Sequence, residues 1–167
     1  LSDDGREQVT GYHMPGDLLG LDALGTERHE SAASALEDSE CCVIPIDHLE
    51  TMERLLPALQ HSLHRILGHE ISIDHGMLLL LGSMHAEERL AAFLVGVSAR
   101  YKARGYSATE VVLRMTREEI GSYLGLKLET VSRLLSKFHE AGLVQVQGRR
   151  IKIIDMPRLR RLASRRA

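Results

Sequence analysis

The fold of this 167-residue chain is decided by residues 116–138, TREEIGSYLGLKLETVSRLLSKF, which predict a helix, a glycine turn and a second helix. Thr116 and Glu119 have the spacing of a capping box, so the first helix should begin there. Gly125 should end it, because glycine tolerates the backbone angles of a tight turn. The second helix should run to about Ala141 and end at Gly142. This layout is typical of a helix-turn-helix, which places its second helix in the major groove of DNA.

The exposed face of the second helix has the chemistry of base recognition. Glu129, Ser132 and Arg133 are spaced i, i+3, i+4, so they should project together. Arginine can donate two hydrogen bonds to guanine, glutamate can accept from the cytosine amino group, and serine can serve a base or a phosphate. The plain alternative is a solvated helix face on which Glu129 and Arg133 form an ordinary surface pair.

Residues 143–154, LVQVQGRRIKII, predict a β-hairpin directly after the second helix. Apolar and polar residues alternate on both sides of Gly148, which marks the turn. Arg149 and Arg150 lie at its tip, where a wing touches the phosphate backbone; an exposed turn that happens to be basic is the alternative. The unit is therefore predicted to be a winged helix, and its DNA-binding residues are predicted to be Lys127, Glu129, Thr130, Ser132, Arg133, Lys137, Arg149 and Arg150.

The charge of the chain is divided unequally between its two parts. The formal net charge is −2, but residues 100–167 hold 16 basic and 6 acidic side chains, whereas residues 1–99 hold 5 basic and 17 acidic. This asymmetry indicates two modules, one of them suited to a polyanion. The chain has no P-loop, nucleophile elbow or dinucleotide glycine pattern, and no apolar run of transmembrane length, so an enzyme and a membrane protein are not expected.

The middle of the chain predicts a long helix from Pro57 to about residue 84. One apolar stripe is interrupted by Glu70, and a second stripe beside it consists of Leu67, Ile71, Asp74, Leu78 and Leu81. Two adjacent stripes require two covering surfaces, which suggests another part of the same chain and a partner helix. A single helix buried on both sides is the alternative.

The sequence resembles the superfamily of the cyclic-AMP receptor protein and the fumarate-and-nitrate-reduction regulator, and most closely the second branch. The resemblance runs from Gln8 to about Asp155, and its specific stretches are QVTGYHMPGDLLG (8–20), AEERLAAF (86–93), IGSYLGL (120–126) and ETVSRLL (129–135). It implies a cytoplasmic, homodimeric transcription regulator that binds two-fold symmetric double-stranded DNA and contacts RNA polymerase. By this resemblance Glu129, Ser132 and Arg133 read the bases, and the serine is typical of the fumarate-nitrate branch.

The resemblance also implies a domain order and a fold class, α+β. Residues 1–56 would be the later strands of a jelly-roll-like sensor roll, residues 57–84 the dimerisation helix, and residues 85–167 the winged helix-turn-helix. Within the first part, strands are expected at Gln8–His13, Ala32–Glu37 and Cys41–Ile46, with a turn at Pro15-Gly16-Asp17. Some fifty residues cannot close such a barrel, and the chain starts at Leu1 without methionine, so we expect it to be a fragment of a longer protein.

The dimer role also gives Asp74 a physical meaning. In a parallel pair it would face its symmetry mate, and the two like charges would repel. We interpret Asp74 as a residue that keeps the dimer close to dissociation. The alternative is a solvated aspartate at the edge of the contact between the two helices.

The fumarate-nitrate branch senses oxygen through a [4Fe-4S] cluster with three N-terminal cysteines and one in the roll. The resemblance places Cys42 at the fourth ligand position, with Cys41 as an extra neighbour. A cubane needs four thiolates, so a cluster is expected in the complete protein and none on these residues alone. Cys42 as a small buried hydrophobic residue is the alternative.

The resemblance also implies loops that contact RNA polymerase. The loop of residues 2–6, including Gly5, and the pair Tyr106 and Ser107 resemble polymerase-contact loops of the family.

Cyclic-AMP binding is disfavoured, since no adjacent Arg-Ser or Arg-Thr pair is present. A family member that senses nitric oxide, heme-bound gas or thiol oxidation is the near alternative. A cupin-like barrel is the distant one, for which only His13 and His29 could supply strand ligands.

Overall fold

A computed structural model describes residues 8–26 and 28–164 of the chain. These residues form an α+β structure with six α-helices and a three-stranded antiparallel sheet. They divide into two compact units, residues 12–78 and residues 79–164 together with residues 8–11. The predicted fold class is therefore confirmed, although the strands lie in only one of the units.

The unit of residues 12–78 begins with turns and loops. Pro15 and Gly16 form the predicted turn, in which Asp17 N donates to Met14 O at 3.0 Å and Gly16 has a φ of 90°. A short 3-10 helix follows at Leu21–Ala23. Pro before Gly at positive φ is the arrangement that a type II turn requires.

Asp22 organises the loop that follows the 3-10 helix. Its carboxylate lies 3.2 Å from His29 Nδ1 and accepts hydrogen bonds from Glu30 N at 2.9 Å and from Ser31 N and Oγ at 3.3 and 3.1 Å. The His29 contact, followed by the Glu30 amide, lowers the pKa of Asp22 to about 2 from its ordinary 3.8. One ionised side chain thus holds the backbone eight and nine residues further on.

The three expected strands at Gln8–His13, Ala32–Glu37 and Cys41–Ile46 were wrong. Residues 8–26 and 28–45 contain no β-strand, and Ile46 is instead the first residue of a helix. Alternating side chains do not make a strand unless a neighbouring backbone supplies hydrogen bonds, and no such partner is provided within these residues.

Two helices follow, α1 at Ile46–Leu55 and α2 at Pro57–Ser83. α1 was not predicted; Asp47 in its first turn and Arg54 in its last turn both favour it through the helix dipole. Leu56 separates the helices because a residue before proline disfavours the α conformation, and Pro57 then begins α2. The long helix predicted from Pro57 therefore forms, and it ends at Ser83.

The other unit contains the remaining helices and the sheet. In chain order they are α3 (Ala86–Ala103), β1 (Glu110–Val112), α4 (Arg117–Leu124), α5 (Leu128–Glu140), β2 (Val144–Gln147), β3 (Arg150–Ile153) and α6 (Met156–Ala163). The strand order is β1-β3-β2, and α6 packs against α3. Residues 8–11 join this unit, because Val9 N donates to Ser122 Oγ at 2.8 Å and Gln8 Nε2 donates to the Ser122 carbonyl.

Every element of this unit contributes to one hydrophobic core. Side chains that are less than 2% exposed come from α3, β1, α4, α5, β2, β3 and α6: Leu90, Leu94, Val111, Ile120, Leu124, Val131, Phe138, Val144, Ile151 and Leu159. Burial of this kind stabilises by roughly 25 cal/mol per Å² of apolar surface. The core fixes the positions of α4, α5 and the hairpin relative to one another. In the described part of the chain, no helix is both long and apolar enough to span a bilayer.

Candidate nucleic-acid interface

The first helix of the predicted helix-turn-helix has the expected ends. Thr116 N donates to Glu119 Oε2 at 2.6 Å, and Glu119 N donates to Thr116 Oγ1 at 3.1 Å, which completes the capping box. α4 ends at Leu124, and Gly125 follows with a φ of 62°. A left-handed residue at this place favours glycine, so both end signals in the sequence are confirmed.

The turn between α4 and α5 folds closely over Gly121. Leu126 N donates to Gly121 O at 2.8 Å, and a Cβ added to Gly121 would lie 2.5 Å from the Leu126 carbonyl oxygen. Only a residue without a side chain fits there. Gly121 was not among the residues predicted from the sequence, although a glycine inside a short helix often indicates close packing.

α5 separates its buried and exposed residues as predicted. Its buried side chains are Val131, Leu134, Leu135 and Phe138. On the other side Glu129 and Arg133 are exposed, and Ser132 is half-buried. Neither charged group forms an ion pair or a side-chain hydrogen bond with any residue of 8–26 or 28–164. Glu129 and Arg133 therefore do not pair with each other, and both charged groups are exposed.

The start of α5 brings two more of the assigned residues to the same place. Lys127 is the exposed N-cap, and its carbonyl accepts from Thr130 N at 3.0 Å and Val131 N at 3.1 Å. Thr130 is half-buried. Lys127, Glu129, Thr130, Ser132 and Arg133 thus lie within the first two turns, the part of a recognition helix that contacts base edges.

The hairpin forms the predicted wing. β2 and β3 pair antiparallel, with Val144 opposite Ile153 and Val146 opposite Ile151, and Gly148 in the turn has a φ of 59°. Arg149 is in the turn and Arg150 begins β3; both side chains are exposed. β1 was missed by the sequence analysis, because three residues form a strand only when β3 presents an edge to them.

The wing is tied to the helix-turn-helix at its tip. Arg117 Nη2 donates to Gly148 O at 2.8 Å, and Leu113 N donates to Arg149 O at 2.9 Å. Burial lowers the pKa of Arg117, although a guanidinium stays charged at neutral pH. The first residue of α4 therefore orients the basic turn, a role that Arg117 did not reveal in the sequence.

The last assigned residue of α5, Lys137, is paired within the protein. Its Nζ donates to Glu87 Oε1, a carboxylate in the first turn of α3. On the opposite flank, Val146 N of the wing donates to His139 Nδ1 at 3.3 Å. α5 is thus held on one side by α3 and on the other by β2.

The residues that were predicted for the dimer interface and for the iron–sulfur cluster lie outside α5 and the wing. On α2, Ile71 and Leu78 are 55% and 68% exposed, Asp74 is exposed, and Leu67 and Leu81 are half-buried. Cys41 and Cys42 are exposed and free of disulfides. The described residues include no cluster of three or more His, Cys, Asp or Glu that could hold a metal ion.

The residues assigned to polymerase contact fall into two groups. Gly5 lies outside the described residues. Tyr106 is exposed and its ring lies 5.8 Å from that of Tyr101, while Ser107 Oγ accepts from Glu110 N at 3.0 Å. Both residues are exposed, and the Ser107 hydroxyl also caps the start of β1.

Two family models match the chain. Residues 88–162 match the Crp-like helix-turn-helix domain, and residues 1–54 match the cyclic nucleotide-binding domain. The first range includes the whole of α4, α5 and the wing. The second range includes residues 12–54 of the unit without strands.

Curated relatives are similar over nearly the whole chain. The transcriptional regulatory protein btr of Bordetella pertussis is 51% identical, covering 95% of this chain and 65% of its own length. The anaerobic regulatory protein of Haemophilus influenzae is 49% identical over 93% and 61%, and the transcriptional activator protein Anr of Pseudomonas protegens is 45% identical over 98% and 67%. The chain thus spans somewhat under two thirds of the first two relatives.

Solved structures agree with the fold. FixK2 from Bradyrhizobium japonicum is 34% identical with a TM-score of 0.68, covering 74% of this chain and 61% of that one. A CooA mutant from Carboxydothermus hydrogenoformans is 25% identical with a TM-score of 0.62, covering 71% and 55%.

Proposed function

Because this chain belongs to the CRP/FNR family of transcription regulators, we propose that it is the DNA-reading part of a homodimer that binds a two-fold symmetric duplex site. The observation that supports this most is the exposed pair Glu129 and Arg133, which is free of ion pairs among the described residues and lies at the start of α5. A charge that is left without a protein partner is available to a base edge.

The reading chemistry follows from the side chains. Arg133 donates two hydrogen bonds to O6 and N7 of a guanine, and Glu129 accepts from the amino group of a cytosine. Ser132 hydrogen-bonds a base edge or a phosphate. Arg149, Arg150 and Lys127 neutralise phosphates, which positions α5 but does not discriminate between sequences.

In a dimer, the second copy of α5 would bind the second half of the DNA site. Ile71 and Leu78 expose large apolar surfaces on α2, which a second copy of the helix would cover. Two copies related by a two-fold axis would place their α5 helices in successive major grooves, about one helical turn apart. An inverted repeat is therefore the expected form of the site.

Contact with RNA polymerase is the part of the proposal that concerns activation. Tyr106 lies on an exposed segment between α3 and β1, within the helix-turn-helix match but away from α5 in sequence. An aromatic side chain at such a place supplies contact area at low entropic cost.

Response to oxygen is proposed for the complete protein only. Two adjacent thiols cannot hold a [4Fe-4S] cluster, which needs four, and the described residues supply no further cluster of ligands. The residues at hand therefore do not fit the group alone, and we derive no step through it. Support comes from the resemblance at Cys42 and from relatives named anaerobic regulatory protein.

Selection from a random duplex pool tests the DNA-binding proposal. The chain should enrich an inverted repeat whose half-sites contain a guanine and a cytosine contacted from one face. Enrichment of no common sequence, or of an asymmetric one, would reject it. Cluster binding is tested separately by anaerobic reconstitution of a full-length protein, in which Cys42→Ser should abolish the visible iron–thiolate absorption and the neighbouring Cys41→Ser should preserve it.

A further inference from the structure

Lys137 continues the row of base-reading residues along α5. It lies four residues after Arg133 and eight after Glu129, so the three side chains follow one line on the helix surface. At 1.5 Å per residue, Lys137 is about 12 Å from Glu129 along the axis. The major groove is about 8.5 Å deep, so a cation about 12 Å along the helix from a base-contacting residue can reach the phosphates at the edge of the groove.

Lys137 differs from the other interface cations in having an ionic partner. Lys127, Arg133, Arg149 and Arg150 form no ion pair in the described part of the chain, whereas Lys137 Nζ donates to Glu87 Oε1. The two side chains are 60% and 37% exposed, so neither is shut off from solvent or ligand. Glu87 is thus an anionic side chain of the protein itself, and it lies at the border of the proposed DNA-binding surface.

The position of Glu87 is fixed by the start of α3. His85 N donates to Glu88 Oε2 at 2.9 Å in a capping box, which sets the first turn of the helix. A carboxylate in the first turn is also stabilised by the helix dipole. Glu87 therefore keeps its place in the first turn of α3 whether or not Lys137 is bound to it.

We propose that Glu87 competes with DNA phosphate for Lys137 and so weakens the binding of every duplex, whatever its sequence. This inference rests on the proposed DNA-binding function. A phosphate must displace the carboxylate before Lys137 can neutralise it, and the displaced Glu87 is left near a polyanion. Exposed ion pairs are weak, so the effect should be a two- to fivefold loss of affinity per bound subunit. A contact of this kind lowers non-specific affinity without touching the residues that read bases.

The test measures binding of a mixed-sequence duplex at several salt concentrations by fluorescence anisotropy. Four variants are compared with the unchanged chain: Glu87→Gln, Lys137→Gln, the double variant, and Glu118→Gln, which removes an exposed acid from the first turn of α4. A freed Lys137 makes one more phosphate contact, so Glu87→Gln should bind two- to fivefold tighter per subunit. Because Glu87 keeps Lys137 from phosphate only part of the time in the unchanged chain, the slope of log affinity against log salt should be steeper in Glu87→Gln, by at most about 0.9 per subunit.

The other variants separate competition from a general charge effect. Lys137→Gln should bind more weakly, and the double variant should equal Lys137→Gln, because Glu87 acts only through that lysine. Glu118→Gln should leave the slope unchanged. An unchanged slope in Glu87→Gln, or a gain that persists without Lys137, would overturn the inference. If the unchanged chain shows no salt-dependent binding at all, the proposed function itself fails.

Discussion

Arg89 Nη1 donates a hydrogen bond to the carbonyl oxygen of Leu124 at 3.1 Å, across 35 residues of sequence. The same guanidinium donates from Nη2 to Leu81 O at 2.8 Å and from Nε to Met84 O at 2.9 Å. Leu124 ends α4, whereas Leu81 lies in the last turn of α2 and Met84 follows that helix directly. The last carbonyls of a helix lack partners within it and hold the negative end of its dipole. One cation therefore joins the end of the long helix to the helix-turn-helix.

Replacing Arg89 should destabilise the DNA-binding unit. Arg89→Met keeps the length of the side chain but leaves three carbonyls without their donor, so we expect a loss of about 2–4 kcal/mol in the free energy of unfolding. Urea denaturation followed by circular dichroism measures it. Lys102→Met, at an exposed position in the last turn of α3, is the matched control and should cost less than about 0.5 kcal/mol. Equal stability of the two variants would contradict the joining role.

Gly121 and Gly96 should respond oppositely to the same substitution. A Cβ at Gly121 would lie 2.5 Å from Leu126 O, so Gly121→Ala should force the turn apart and cost roughly 1–3 kcal/mol. Gly96 lies inside α3 with nothing within 4 Å of its added Cβ, and Gly96→Ala should stabilise by up to about 1 kcal/mol. Thermal unfolding of the two variants measures the difference, and a stable Gly121→Ala would show that the turn is not closely packed.

The loop around Asp22 should lose its order in acid. The folded-state pKa is about 2, below the ordinary 3.8, so the stabilising contribution is fully present above pH 3.8 and is lost as the pH falls through 2. Amide chemical shifts of Glu30 and Ser31, measured by NMR between neutral pH and pH 2, should move together in that range. In Asp22→Asn the titration should disappear; if it persists, another group is responsible.

Asp74 should limit self-association. In the proposed pairing of two α2 helices, Asp74 faces the same residue of the second copy, and the two like charges repel. Removing that charge should let Asp74→Ala dimerise more readily than the unchanged chain. Sedimentation velocity over a range of concentrations measures this. Asp47→Ala, which removes an exposed acid from α1, serves as the control. No gain for Asp74→Ala over that control would mean that Asp74 is a solvated residue at the edge of the helix.

The parts of the fold that the sequence predicted are those with local signals. The capping box at Thr116, the left-handed glycines at 125 and 148 and the alternation of the hairpin each depend on a few adjacent residues. The exposed face of α5 was also predictable, because helical spacing alone separates Arg133 from the buried side.

The remaining features depend on contacts between distant parts of the chain. Arg117, Arg89 and Glu87 have partners 31, 35 and 50 residues away, and nothing near them in sequence indicates those partners. The strands expected before residue 46 failed for the related reason that pairing, and not alternation, makes a strand. α1 had a signal in Pro57, since the residue before a proline tends to end a helix.

A base-pair scan tests the central claim, that Arg133 reads a guanine in each half of a symmetric site. Affinities of the unchanged chain and of Arg133→Ala are measured for the selected duplex and for duplexes changed at one symmetric pair of positions at a time. In the unchanged chain, replacing the contacted guanine should cost about 1–3 kcal/mol, and in Arg133→Ala this penalty alone should disappear. If Arg133→Ala instead weakens binding to all duplexes equally, with every penalty retained, Arg133 contacts phosphate and the account of base recognition is wrong.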